Sequence, residues 1–285
     1  MLILEKFDLI KYNSYRLKAC CAKAFFPDNE EDILEIFHEY PDTKKIIVGN
    51  GNNIILSREW YDEYFIILNG CFNKVEVNDN VIIAEAGTTL LELSVIALQN
   101  SLAGLEIFFD IPSSVGGAVV MNAGAGGEEI KDLIIKVRYL DLEDMQIKER
   151  FGDNLEFKYR NSFFQKHTDK LVLRAWFQLV NHDTEAIRTK MEINKQTRWA
   201  KQPREYPNCG SVFKRPTGQF VGFMLDKLGL KGFTVGGARI SEKHSGFIIN
   251  TGDAKGSDIL AIISEVKKRV NREFKIDLEI EQKII

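Results

Sequence analysis

No apolar run in these 285 residues approaches the length of a bilayer span, so the sequence predicts no membrane insertion. The opening residues Met1-Leu-Ile-Leu-Glu-Lys mix an acid and a base and lack a small-residue cleavage site, which argues against a secretory signal and predicts a cytoplasmic protein. Cysteine is scarce. Cys20, Cys21, Cys71 and Cys209 form neither a C-x-x-C pair nor a zinc spacing, and adjacent cysteines bridge only under strain, so free buried thiols are expected. Basic blocks are absent and the formal charge is −3, which excludes an extended nucleic-acid surface but leaves room for a small positive pocket around a diphosphate. A small molecule is the expected partner, and no segment points to a protein partner. The histidines offer no paired ligands: His244 lacks a second one nearby, and His38, His167 and His182 read as surface residues, so no metal is expected. Internal repeats and low-complexity segments are also missing.

What is present is the material for several packed α/β units, with a hydrophobic fraction of 45% and a charged fraction of 28%. Asp28 or Asn29 can cap a helix whose apolar face is Ile33, Ile36, Phe37 and Tyr40, and residues 45–48 follow as a buried strand. Residues 81–84 form another strand, after which Thr89 and Glu92 make a capping box ahead of Leu93, Ile96 and Ala97. Strands are expected at 133–139 and 171–177, then a helix from Asp183 or Thr184 carrying Ile187 and Met191, and the second unit is expected to end near residue 196. Residues 198–205, charged and followed by Pro207, read as a crossing segment. Beyond it Ser257 caps a helix with Ile259, Ile263, Val266 and Val270 inside, and 277–281 reads as a final strand.

Two segments carry little side chain. Gly49-Asn-Gly-Asn-Asn53 follows a strand, where glycines allow positive φ and successive N–H groups can cradle phosphate oxygens. It lacks the third glycine and following helix of a dinucleotide fingerprint and has no Walker lysine, so a plain tight turn is an equal reading. Residues 111–127, Ile-Pro-Ser-Ser-Val-Gly-Gly-Ala-Val-Val-Met-Asn-Ala-Gly-Ala-Gly-Gly, are more specific. So many glycines and alanines leave the backbone bare, which suits a planar ring system and a pyrophosphate lying against it, or else tight packing of a sheet on a helix.

These segments occur in order with Ala86-Gly87, Gly104-Leu-Glu106, Tyr159-Arg-Asn-Ser-Phe163, Gln202-Pro203, Asn208-Cys-Gly-Ser-Val-Phe-Lys-Arg-Pro216, Gly229-Leu-Lys-Gly232, residues 237–250 and Leu278-Glu-Ile-Glu281. From about residue 13 to its end the chain resembles the UDP-N-acetylenolpyruvoylglucosamine reductase (MurB) family, in its compact type II form. The resemblance implies an α+β protein: a two-subdomain FAD-binding fold of the vanillyl-alcohol-oxidase type plus a C-terminal α+β substrate-binding domain. It places the FAD-binding domain at 1–196, with subdomains of about 1–80 and 81–196, and the substrate domain at 197–285, whose last strand is a candidate to return to the FAD domain. It implies non-covalent FAD, with NADPH as hydride donor, reducing UDP-N-acetylglucosamine enolpyruvate to UDP-N-acetylmuramate for peptidoglycan.

The implied FAD contacts are Gly49, Asn50, Gly51, Asn52, Asn53, Ile54 and Gly87, followed by Ile111, Pro112, Ser113, Ser114, Gly116, Gly117, Ala118, Asn122, Ala123 and Gly124. Lys201 and Arg215 are the implied substrate contacts. Arg160, Ser211 and Glu281 match the family's catalytic trio. Chemistry gives each a place. Arginine can fork onto the substrate carboxylate, a serine beside a glycine can donate a proton to a strongly basic carbon, and a protonated glutamate can polarise the carboxylate. Spacing alone does not choose Glu281 over Glu279, two residues away on one strand face. The departures lie on the cofactor side: Lys18-Ala-Cys-Cys21 stands where the family has a double glycine, and Ser113 where it has Gly. A paralogue that makes a lactyl-ether sugar for a surface polysaccharide, or a flavin-binding protein without turnover, fits the same residues.

Overall fold

A computed structural model describes residues Met1–Ile285. Strands Leu2–Asp8, Cys20–Phe26, Trp60–Ile67 and Lys45–Val48 form one sheet in that order. The chain divides into two compact units. One comprises Met1–Ile3, Ala24–Asn50 and Phe65–Thr197, the other Leu4–Lys23, Gly51–Tyr64 and Arg198–Ile285. The C-terminal block is thus joined in its unit by two segments from the first quarter of the chain.

In the first unit Asn29 caps the helix Glu30–Glu39 by accepting from Asp32 N–H, and Ile33 and Ile36 are buried. Each buried isoleucine contributes roughly 1.5–3 kcal/mol of hydrophobic stabilisation. The expected capping box is complete. Thr89 Oγ1 accepts from Glu92 N–H at 3.0 Å while the Glu92 carboxylate takes the Thr89 N–H at 2.9 Å, starting the helix Leu90–Gln99. An antiparallel five-stranded sheet runs Gln146–Phe151, Ile134–Asp141, Lys170–Gln178, Val81–Glu85 and Val75–Asn78. The short helix Val115–Met121 packs on it through Val115, Ala118 and Val119, all fully buried.

Buried charge ties this unit together. Glu30 accepts from Arg138 Nε and Nη2 at 2.9–3.2 Å. Arg174, on the neighbouring strand, lies 3.1 Å from Glu30 and donates to Glu85 at 3.2 Å. Glu85 also accepts from Lys74 N–H, and burial pushes its carboxyl up. Further along, the ammonium of Lys170 sits among Asp141, Asp169 and Glu143 at 2.6, 2.6 and 3.0 Å, and Lys148 takes the other oxygen of Asp141 at 2.7 Å. These carboxylates cluster closely enough to suggest a cation site, but the lysine already occupies it.

In the second unit the strands Thr234–Val235, Ala238–Ile240 and Ile248–Asn250 form an antiparallel sheet that meets the helix Gly256–Phe274, whose Ile259, Ile262, Ile263, Val266 and Val270 are buried. Gly256 is required there, because a Cβ would stand 2.1 Å from Leu56 O.

Three local expectations need correction. The helix from Thr184 runs to Lys201, so the first residues of the expected crossing segment 198–205 are helical. Basic Arg198 and Lys201 favour its C-terminal carbonyls, Gln202 N–H still reaches Arg198 O, and Pro203 ends it. Ser257 is inside the helix Gly256–Phe274, not its cap. The cap is Lys255, whose N–H is taken by the Asp258 carboxylate at 3.0 Å. Residues 277–281 make only an isolated bridge at Ile280, opposite Phe213, and the final strand is Lys283–Ile284, parallel to Ile54–Ile55. Alternation of apolar residues persists over 277–281, but its partner segment at 212–214 is too short and bent for a ladder.

The hydrogen bonds from Lys148 and Lys170 hold the Asp141 carboxyl far below the usual carboxylate range. A depressed folded-state pKa contributes stability that is present above the unfolded value of about 3.9 and lost as pH falls through the lower folded value. Asp141→Asn is therefore expected to lower the melting temperature at pH 7 and to flatten its decline below pH ~4. Thermal scans from pH 7 to pH 2 test this, and curves that stay parallel to the parent's would remove Asp141 from acid unfolding.

Candidate active site

The glycine-rich segments of the first unit are held by their own backbone. Gly87 N–H donates to Phe72 O, Gly116 N–H to Ala86 O, Val115 N–H to Thr88 O and Leu90 N–H to Ser113 O, all at 2.8–2.9 Å. A Cβ on Gly87 would lie 2.1 Å from Leu68 O and 2.3 Å from Phe72 O, and one on Gly49 would lie 2.1 Å from Ser114 Oγ. Part of the bareness read from sequence is thus filled by protein. Gly126 and Gly127 are different: both have positive φ, and a Cβ on Gly127 would meet nothing within 4 Å.

Four buried side-chain oxygens lack any partner here: Asn50 Oδ1, Thr88 Oγ1 and Asn161 Oδ1 in the first unit, and Asn52 Oδ1 in the second. A buried polar atom without a partner costs about 1–3 kcal/mol, so native chains keep such atoms where something else satisfies them. Thr88 is fully buried and stands beside Gly87, with its backbone oxygen bonded to the 111–127 segment. Within the first unit, the ribityl hydroxyls and ring N–H of FAD could donate to oxygens of this kind, and its acceptors could take the Thr88 hydroxyl proton.

Other implied contacts are committed elsewhere. The Asn122 amide donates to Glu129 Oε2 and Lys158 O and accepts from Lys131 N–H, with its backbone left-handed at φ 45°. Asn53 Nδ2 donates to Glu281 O at 3.1 Å, and Asn52 Nδ2 donates to Ser14 Oγ. Ser114 caps the helix Val115–Met121 through Gly117 N–H. Ser113, in place of the family's glycine, turns its hydroxyl onto Ser114 O.

Arg160 sits in a tight turn closed by reciprocal 3.0 Å bonds between Lys158 and Asn161. Its own φ is 50°, and its guanidinium donates to Asn122 O at 3.3 Å and to Gly124 O at 3.0 Å. The structure thus anchors Arg160 directly on the glycine-rich segment.

In the second unit Ser211 is exposed and follows Gly210, whose φ is 74°. Asn208 shapes this turn: its Oδ1 accepts from Gly210 N–H, and its Nδ2 donates to Pro203 O and Tyr206 O. Glu281 is brought alongside, since its N–H donates to Val212 O at 2.8 Å. The two glutamates that spacing left equivalent differ here. Glu279 is largely exposed and ion-paired with Lys214, whereas Glu281 is half-buried. Lys201 is exposed at the end of its helix, and Arg215 stacks over the Phe220 ring at 4.6 Å.

His244 accepts Gly246 N–H at Nδ1 and packs edge-on against Phe247, while burial lowers its pKa. Cys209 is an inert thiol, because burial pushes it up to about 12. Sequence reading missed Gln282 and Tyr15, fully buried side chains bonded to each other across 267 positions at 3.0 Å. No local pattern signals such a pair.

The model of the C-terminal domain of UDP-N-acetylenolpyruvoylglucosamine reductase matches residues 202–285, and an FAD-binding domain model matches residues 22–148. The chain is 38% identical to the UDP-N-acetylenolpyruvoylglucosamine reductase of Francisella tularensis over 283 residues, 99% of both chains. It is 40% identical to that of Pediococcus pentosaceus over 285 residues, covering 99% of this chain and 94% of the relative. The crystal structure of UDP-N-acetylenolpyruvylglucosamine reductase from Thermus caldophilus superposes with a TM-score of 0.83 at 29% identity, covering 99% and 98% of the two chains. Phl p 4.0202, a glucose dehydrogenase, shares the fold of 64% of this chain and 42% of its own at a TM-score of 0.50 and 15% identity.

Thr88→Val tests the cofactor fit. Removing an unsatisfied hydroxyl from an apolar-shaped site should leave the melting temperature of the FAD-free protein unchanged or slightly raised, while weakening FAD binding by about tenfold. Fluorescence titration of FAD with the variant decides it, and unaltered affinity would exclude Thr88 from the cradle.

Proposed function

Because this chain belongs to the UDP-N-acetylenolpyruvoylglucosamine reductase family, we propose that it reduces UDP-N-acetylglucosamine enolpyruvate to UDP-N-acetylmuramate in the cytoplasm, with FAD as cofactor and NADPH as hydride donor. Similarity along the whole length, at 38–40% identity to relatives of nearly equal size, carries this reading. Residues 1–196 would hold FAD and 197–285 the substrate.

Bound FAD supplies a centre that takes hydride from one donor and passes it to another substrate. The rest falls to the chain. Hydride addition to the terminal methylene leaves negative charge on the carboxylated carbon and its carboxylate. Arg160, pre-positioned by the carbonyls of Asn122 and Gly124, stabilises that carboxylate as charge grows, at no reorganisation cost during reaction. Ser211, exposed on its glycine turn, donates its hydroxyl proton to the carbanion. Glu281, fixed by Asn53 and by Val212 O, polarises the carboxylate in its protonated form. Lys201 and Arg215 carry the positive charge that a nucleotide diphosphate needs.

The reading is tested with purified protein, FAD, NADPH and UDP-N-acetylglucosamine enolpyruvate. NADPH should be consumed and the product should be heavier by two hydrogens. Absence of turnover, or preference for a different enolpyruvyl sugar, would overturn it. Ser211→Ala should leave bleaching of the yellow cofactor by NADPH within about twofold of the parent, while slowing its recovery on adding substrate by several orders of magnitude. Equal loss in both phases of a stopped-flow trace would give Ser211 a structural role instead. Glu281→Gln should lower turnover by roughly 10²-fold or more and Glu279→Gln by less than about twofold, as expected for an active-site acid and a surface ion pair. The reverse order would reassign the acid to Glu279.

A further inference from the structure

Resting on the reductase reading above, we propose that Gln282, keyed by Tyr15, is the positioning residue that sets the Ser211 turn for proton donation.

The geometry is specific. Gln282 Nε2 faces the carbonyl oxygens of three consecutive residues, Cys209 at 3.0 Å, Gly210 at 3.4 Å and Ser211 at 3.4 Å. An amide has two N–H donors, so one bond is strong and the other is shared. The opposite end of the amide, Oε1, accepts from the Tyr15 hydroxyl at 3.0 Å. Tyr15 is 0% exposed and Gln282 4%.

Orientation follows from the three carbonyls. A glutamine amide can flip, and the flipped form would point Oε1 at three carbonyl oxygens, which repel it. With Nε2 thus turned to the carbonyls, Oε1 is left to accept from the Tyr15 hydroxyl, which braces the amide from behind. Tyr15 is itself fixed, since its backbone oxygen accepts from Asn250 Nδ2 at 2.8 Å. Gly210 is left-handed, and the turn is held on one side by the isolated antiparallel bridge of Ser211 with Phe247 and the bond from Val212 N–H to Gly246 O at 3.1 Å, while Gln282 takes the carbonyls of 209–211. Glu281 N–H holds Val212 O immediately beyond. One dipeptide at the chain's end, Glu281-Gln282, therefore grips both sides of Ser211, with the first residue placed in the chemistry and the second supporting it.

A buried glutamine serving only stability would lower activity in step with folding. A positioning residue acts through Ser211, and the two differ in measurable ways. In the FAD-free protein, Gln282→Leu should speed amide hydrogen exchange of the segment 209–213 by at least tenfold relative to the parent, with Tyr15→Phe falling between the two. This readout needs no turnover. In the FAD-loaded protein, Gln282→Leu should slow recovery of the bleached cofactor by the enolpyruvyl substrate about 10²-fold, the usual cost of a misplacement near 1 Å, while bleaching by NADPH stays within about twofold. The double variant Ser211→Ala with Gln282→Leu should be no slower than Ser211→Ala alone.

Losses that multiply in the double variant, or exchange of segment 209–213 that stays at the parent rate, would overturn the proposal. If Gln282→Leu does not fold, the smaller Tyr15→Phe change carries both measurements with the same criteria. A parent protein that never turns over the enolpyruvyl substrate refutes the reductase reading, whereas the exchange result still decides whether Gln282 and Tyr15 hold the turn.

Discussion

Everything in the first unit's half of the chemistry depends on one backbone-to-backbone approach, that of residues 86–90 against residues 113–116. The bonds from Gly116 to Ala86, Val115 to Thr88 and Leu90 to Ser113 leave no space for side chains between the strands' ends. Gly116 fills the closest point, where a Cβ would stand 3.0 Å from Ala86 Cβ, and Gly87 faces residues 68–72 instead, where a Cβ would fall within 2.3 Å of the Leu68 and Phe72 carbonyl oxygens. Since such a clash involves main chain on both sides, no rotamer change relieves it. The Thr89 capping box then begins one helix and Ser114 another from the same junction, so the sheet, two helices and the orphaned Thr88 hydroxyl share one fixed origin.

The second unit solves a similar problem with side-chain amides. Asn13, 1% exposed, bonds Leu9 O, Leu17 O and Leu17 N–H, closing the loop that presents Tyr15. Asn250 joins Tyr15 O to the N–H groups of Gly252 and Ala254. Each amide supplies donors and an acceptor at once, so irregular backbone is buried without orphaned groups. Such loops are stiff for the reason that sheets are: their polar groups are already spoken for. A turn carrying an exposed serine gains precision from that stiffness.

What the sequence made legible was local. The capping box at Thr89 and Glu92, a cap at Asp28 or Asn29 and the apolar faces of the helices follow from spacing, and the structure has them, with Asn29 as the cap. The ends of elements were less readable. Arg198 and Lys201 looked like linker residues because charge says nothing of a helix whose last turn is exposed, and the cap fell at Lys255 rather than Ser257 because the Asp258 carboxylate takes the Lys255 N–H and also reaches Gly237 N–H. At the site, glycines announced a bare backbone without saying what lies on it; some face protein atoms, and only the orphaned polar atoms separate those from a cofactor cradle. Glu279 and Glu281 could not be ranked by alternation, since the pairing of Lys214 with Glu279 is a tertiary fact. Gln282 carried no signal in the sequence because its partner, Tyr15, lies near the other end of the chain.

Arg160 shows how strain and function are joined at one residue. A non-glycine residue at φ 50° costs about 1–2 kcal/mol relative to a right-handed conformation, and glycine would sit there freely. Glycine would also remove the guanidinium that bonds Asn122 O and Gly124 O. Those two charge-assisted bonds, each stronger than a neutral one, offset the backbone cost and require the left-handed turn in order to reach both carbonyls. The reciprocal Lys158 and Asn161 bonds close the turn from behind, and Ser162 Oγ pins the next residue to Val120 O at 2.8 Å. The strained residue is thus over-determined on every side, which is the condition under which strain persists in a native fold. A lysine at this position would keep the charge but lose the planar fork that spans two carbonyls, so the backbone cost would remain with less to oppose it.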